Sequence, residues 1–283
     1  MSDKKFPPLP LKKWKETRDT LHKYCKMVGT IREKMSKPEP HWWHISLRIN
    51  DVGLTTLPLL ISENEPDKTF EITIDLLNGR LLINSSYSEK MKIALTGQSL
   101  SALCDETCSL LSDIDIEPPI EKPSFINGKP GKFEITDLKN YWTVLQSIND
   151  VFLKFKSKLQ GQSSPVQLWP HHFDLALSWF SGRLVPGKDP KNPEESQEQM
   201  TFGFSTGDES IADAYFYATA YPTQESLPDL TLTEDAYWNK QGFTGVVLKY
   251  SSLIYAKNPS EKLLKFLKNA QFAGTENMQS RMC

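Results

Sequence analysis

The chain has 283 residues, 39% of them hydrophobic, and 33 basic against 35 acidic side chains leave a net charge of −2. That length and apolar content suffice for one large domain or two packed halves, and they exclude intrinsic disorder as the default state. The balanced charge excludes an overall field that would recruit nucleic acid or an anionic membrane, so neither is expected as a partner.

Residues 1–10 read as a charged, proline-containing N-terminal extension without the apolar run of a leader, and no stretch approaches the length of a spanning helix. A cytoplasmic protein is the expectation. The four cysteines, Cys25, Cys104, Cys108 and Cys283, are too few for a disulfide framework and read as reduced thiols.

From Leu11 to Met35 apolar residues recur at Trp14, Leu21, Cys25, Val28 and Met35, which predicts an amphipathic helix. Pro38 and Pro40 end it and push the next residues into extended backbone, so His41–Asn50 is predicted as a strand. Further strands are predicted over Val52–Ile61, broken by Pro58, and over Phe70–Leu76. Asn78-Gly79 forms the hairpin turn into Arg80–Asn84, and a last strand covers Lys90–Leu95. Ser99–Leu111 closes a first half, residues 11–112, as a helix.

Residues 113–136 hold Pro118, Pro119, Pro123 and Pro130 and have the composition of a linker. A second half, residues 137–272, opens with a helix over Asp137–Leu159, where Tyr141, Leu145, Ile148, Phe152 and Phe155 share helical spacing. Strands are expected at Phe173–Phe180, Met200–Ser205, Ala214–Tyr221 and Phe243–Tyr250. A closing helix spans Pro259–Phe272, with proline suited to its first turn. Residues 273–283 read as a flexible tail.

The fold class expected is therefore α+β: two pseudo-repeated halves, each a long helix, antiparallel strands and a closing helix. The strands after each long helix align without a gap, His44-Ile-Ser-Leu-Arg-Ile-Asn50 against His172-Phe-Asp-Leu-Ala-Leu-Ser178. Seven positions do not prove duplication, because a helix followed by hairpins is a common plan.

Alternation along a strand would put Trp42, His44, Ser46, Arg48 and Asn50 on one face, and His172, Asp174, Ala176, Ser178 and Phe180 on the matching face of the second half. A polar cleft between the halves would then be lined by His44, Arg48, His172 and Asp174. Trp42, Arg183 and His22 are candidates for its ligand-binding margin, and His44, His172 and Asp174 for any catalytic role. Histidine suits proton transfer near neutral pH, and arginine grips a carboxylate or phosphate through its forked donors. The plainer reading is that these faces simply meet water. Whether the cleft catalyses a reaction or only binds a small molecule stays open. A non-catalytic interaction or scaffold protein is the alternative.

Other chemistries are refused. His41 and His44 point to opposite faces of a strand, so no metal site is expected there. Gly203-Phe-Ser205-Thr-Gly207 has the spacing of a nucleophile elbow, but the last histidine is His172, upstream of the serine, where that mechanism needs one downstream. Cys104 and Cys108 lie one helical turn apart, where small thiols usually pack in a core. No P-loop, dinucleotide fingerprint, EF-hand loop or zinc spacing is present, so the cofactor is unknown.

Several segments together resemble a largely bacterial family catalogued as domain of unknown function 5996. They are Leu11–Arg32 with Trp14, Thr17, Thr20-Leu21-His22 and Val28-Gly29, then His41-Trp-Trp-His44, Gly53-Leu-Thr-Thr56, Phe70-Glu71, Ser164-Pro-Val166, Phe173-Asp-Leu175, Phe180-Ser-Gly-Arg183 and Tyr215–Pro222. The resemblance covers nearly the whole chain. It implies one continuous unit and carries no assigned activity. Where the family pattern has histidine this chain has Gly79, Gln167 and Gln197, and Ile254 stands in place of an arginine. These departures argue against carrying any family-wide metal or acid–base chemistry over. The polar set that remains is His22, His41, His44, Arg48, Asp174, Arg183 and Glu198.

Overall fold

The computed structural model describes residues 6–88, 90–117, 120, 128–223 and 234–280, the last four of these without their side chains. Pro118, Pro119 and Pro123 of the expected linker, Cys283 and the first five residues lie outside the described residues. The fold is α+β, with helices and two antiparallel sheets. The chain divides into two compact units, one of residues 14–142 and 167–173, the other of 1–13, 143–166 and 174–283.

In the first unit the long helix α1, Leu11–Met35, forms because its apolar residues repeat every three or four positions. Leu21, Tyr24, Cys25, Val28 and Ile31 are all buried. The strands are β1 (Arg48–Ile49), β2 (Gly53–Thr55), β3 (Leu59–Leu60), β4 (Thr69–Asp75), β5 (Arg80–Ser85) and β6 (Met91–Ala94). They are ordered β1-β2-β4-β5-β6, with β3 also on β4. The β4–β5 hairpin turns through Asn78 and Gly79, whose φ of 63° is left-handed and suits glycine. Asp75, fully buried, accepts from the Leu77 and Asn78 amides at 3.1 and 3.0 Å and from Arg80 Nε at 2.8 Å, locking the turn. Helix α2, Leu100–Ser112, is capped by Ser99, which accepts from the Ala102 amide at 3.2 Å.

In the second unit the strands are β8 (Asp174–Leu184), β9 (Gln197–Ser205), β10 (Tyr215–Tyr221), β11 (Ala236–Asn239) and β12 (Gly245–Lys249), in the antiparallel order β8-β9-β10-β12-β11. Helix α6, Pro259–Ser280, contacts β9 and β10. Helix α3, Ile135–Lys156, belongs to this unit from Thr143 onward, and Phe155 meets Phe202 edge-on at 4.9 Å. Of two four-residue helices, α4 (Pro193–Ser196) joins β8 to β9 and α5 (Ser251–Ile254) joins β12 to α6.

Three of the expected elements take a different course. Residues 41–50 are not one strand: Pro40–Ile45 is a 3-10 helix kinked at His41 and Trp42, and the strand is confined to Arg48–Ile49. The cause is local, since His41 and Trp42 take left-handed backbone (φ 55° and 58°) and the Glu39 amide donates to His44 Nδ1 at 3.2 Å, curling the segment. Likewise, His172 lies in a turn and β8 begins only at Asp174, because Phe173 is left-handed at φ 59°. Helix α6 runs past the end expected at Phe272. Gly274, within the segment expected as a flexible tail, is instead a close approach: a Cβ there would lie 2.3 Å from Met200 Sδ.

Candidate functional site

Helix α1 carries more than apolar residues into the core. Arg32 continues the stripe of Leu21, Tyr24, Cys25, Val28 and Ile31, and it is 5% exposed. Its Nη1 donates to the Ser46 carbonyl, while its Nε, buried, has no hydrogen-bond partner among the described residues. Burial pulls the guanidinium below its ordinary pKa, and the charge of Glu39 opposes that pull.

The segment after the 3-10 helix supplies a second guanidinium. Arg48 Nη1 donates to Ser46 Oγ at 2.9 Å and to Gln167 Oε1. Gln167 sits on β7 (Gln167–Trp169), held in register by paired 2.8 Å hydrogen bonds between the backbones of Leu47 and Leu168. Ser46 Oγ has the Trp43 carbonyl and Gln167 Oε1 both at 2.8 Å, two acceptors for one hydroxyl hydrogen. Burial lowers the Arg48 pKa to about 10; the neighbouring charge of Arg32 adds to the effect and Glu39 counters it. Arg48 therefore senses the charge of Arg32 in a largely desolvated place, and among the described residues the two guanidinium groups donate to neutral oxygens.

His44 and Trp42 lie on the 3-10 helix that precedes Ser46. His44 is 4% exposed and its Nδ1 is an acceptor, which puts any ring proton on Nε2 when the ring is neutral. Trp42 is 56% exposed and stacks on the His44 ring with centroids 5.8 Å apart. Their adjacency comes from the left-handed turn rather than from strand alternation.

Arg32 also lines an open groove of about 690 Å³, walled by residues from the end of α1, from Pro38–Glu39 and from Thr56–Glu63. A groove with forked, desolvated donors on its wall can hold a carboxylate or phosphate, because the guanidinium geometry matches those anions.

The other expected site residues divide by unit. His22, Trp42, His44, Arg48 and His172 lie in the unit of 14–142 and 167–173, and Asp174 and Arg183 in the other. His22 Nε2 faces the carbonyls of Pro170 and His171 at 2.9 and 3.1 Å, and its ring stacks on Phe173 at 5.2 Å. Burial, with Lys26 adding to it, pushes its pKa down to about 4. His172 is exposed. Asp174 accepts from the Tyr217 hydroxyl, which burial and the carboxylate hold well above the usual tyrosine pKa. Arg183 Nε pairs with Glu198 at 2.7 Å, and the same carboxylate oxygen accepts from Ser181 Oγ at 2.5 Å.

Sequence reading missed Arg32 and the role of Gln167. The signal for Arg32 was present, since a charged residue in phase with an apolar helical stripe is carried into the core. Gln167 had no comparable signal, because its partners are 119 and 121 residues away.

Gly203–Gly207 is the end of β9 and a turn, with Ser205 Oγ accepting from the Gly207 amide at 3.1 Å. Among the described residues, no three His, Cys, Asp or Glu side chains gather as a metal ion requires, and no helix is long and apolar enough to cross a membrane.

The sequence model of a family of unknown function (DUF5996) matches residues 6–280. The chain belongs to that family. Searches of curated proteins and of solved structures gave no match. Membership in DUF5996 assigns no activity, so the functional reading of this DUF5996 chain rests on the Arg32–Arg48 arrangement.

Proposed function

We propose that this protein binds a small anionic molecule through Arg32 and Arg48, with Ser46 and Gln167 orienting the donors and His44 at the margin. The observation that carries the reading is that two desolvated guanidinium groups both donate to Ser46 and, among the described residues, have neutral hydrogen-bond partners. Like charges brought together out of water are unfavourable unless something neutralises them, and an anion does so while using their forked donors. The finer expectations about His172, Asp174 and Arg183 are not needed by this site, and no catalytic step is assigned to it. A cytoplasmic location is part of the same reading, supported by described cysteines that form no disulfide.

The arginine Nε–H signals in heteronuclear NMR test it directly. Titration with acetate, benzoate and inorganic phosphate should shift the Arg32 Nε–H resonance saturably for at least one of them. Arg48→Met should abolish that response. No saturable shift from any of the three anions, or an undiminished one in Arg48→Met, would end the proposal.

A further inference from the structure

The groove that Arg32 lines says more about the ligand than its sign of charge. Its wall presents Met35, Pro38, Leu57, Pro58, Leu60 and Ile61, all apolar, beside the guanidinium. Leu57 and Leu60 are 40% and 41% exposed. Leu57 is held in left-handed backbone, φ 62°, a conformation unfavourable for a branched side chain. The Thr55 hydroxyl accepts from the Leu57 amide at 2.9 Å, and the Thr56 hydroxyl donates to the Leu57 carbonyl at 2.8 Å, clamping it from both sides. Strained residues persist where the surroundings over-determine them, and they gather at ligand sites. Here the strain turns an apolar side chain toward solvent at the groove.

The charges on the wall set the valence. Arg32, Lys34 and Lys37 face two carboxylates, Glu39 and Glu63, and Lys37 is already paired with Glu63 at 3.0 Å. On the groove wall itself one negative charge balances what is left; Arg48, which does not line the groove, is outside that count. A volume near 690 Å³ lies in the range of small-molecule pockets and exceeds what acetate or phosphate would occupy.

We infer that the groove takes an amphipathic monocarboxylate, an acyl or aryl acid, with its carboxylate at Arg32 and its apolar body along Leu57 and Leu60. This rests on the anion-binding reading and adds the apolar half of the ligand. A carboxylate fits the groove wall better than a phosphate monoester because the wall's own residues leave one positive charge to neutralise.

Isothermal titration of the full chain with decanoate below its micelle concentration, with acetate, decanol and inorganic phosphate as comparison probes, tests both layers separately. Decanoate should bind at least tenfold more tightly than acetate or phosphate. Leu57→Asn, which tolerates left-handed backbone, should cut decanoate affinity about tenfold and leave acetate binding unchanged. If acetate or phosphate binds as well as decanoate and all are lost in Arg48→Met, the anion reading survives and the amphipathic ligand is overturned. If decanol binds as well as decanoate, if Arg32→Met leaves decanoate binding intact, or if no probe binds, both fall.

Discussion

Among the side chains that could respond to pH, His22 is the one whose geometry fixes a direction. Its Nε2 donates to two backbone carbonyls while its ring lies against Phe173, so the neutral ring already has its partners and a proton would add a charge in a desolvated place beside Lys26. The folded pKa of about 4 lies below the ordinary 6.5. Between those values the unfolded chain holds the extra proton and the folded chain does not, so stability must fall as pH drops from about 6.5 to about 4. His22→Gln keeps an N–H donor and removes the titration. Urea midpoints measured across that window should fall for the wild type and show a shallower slope for His22→Gln; equal slopes would sink the account.

At the scale of elements, the contact between α1 and the 167–173 segment depends on the absence of a side chain. A Cβ at Gly29 would lie 2.6 Å from Pro170 Cγ, and a proline ring has little room to yield. Gly29→Ala would gain up to about 1 kcal/mol in helix propensity, yet overpacking costs about 1–3 kcal/mol. The variant should be destabilised by about 1–2 kcal/mol in equilibrium urea unfolding, and a gain would show that the helix shifts freely. The same scale shows what could be read in advance. Long helices and hairpins announced themselves through periodicity and through Asn78-Gly79, so their order was legible. The 3-10 turn at Pro40–Ile45 was not, because left-handed backbone at a histidine and a tryptophan has no compositional mark, unlike at glycine. That misreading moved His44 and Arg48 onto an imagined common strand face. Arg48 and Ser46 nonetheless meet, and the arginine that joins them came from a helix whose stripe was read only for its apolar members. β11 was missed as well, since Ala236–Asn239 is only four residues long, although its partner β12 follows it directly in an antiparallel hairpin.

For the whole molecule, the compact units are not simple stretches of chain. Trp14 packs on Tyr141 with ring centroids 5.0 Å apart, and Tyr141 stacks on Phe173 at 5.5 Å, all inside the unit that also holds β1–β6. A fragment of residues 11–112 lacks Tyr141, Phe173, the carbonyls that receive His22 and the Gln167 that receives Arg48. It should therefore fail to fold alone, giving collapsed amide dispersion in NMR, whereas a fragment of residues 11–173 restores every one of these groups and should recover dispersed signals. A well-dispersed spectrum from 11–112 would show that these late groups are dispensable. The strand orders of the two sheets differ, so the sheet topology does not establish the expected pseudo-repeat of the halves.

The interleaving also bears on how the protein is made. On a ribosome the chain emerges from its N-terminus, so β1 to β6 can form early, but the shell around His22 and Arg48 stays open until Gln167–Phe173 has been synthesised. Near the start of the chain, Phe6 and Leu9 are buried and the Pro7 carbonyl accepts from Tyr250 at 2.8 Å. That early segment has to wait for almost the entire message to be read before its partner exists. Residues 6–9 are thus the likeness of a latch set last, and a nascent chain stalled before Tyr250 would still expose them to chaperones and proteases.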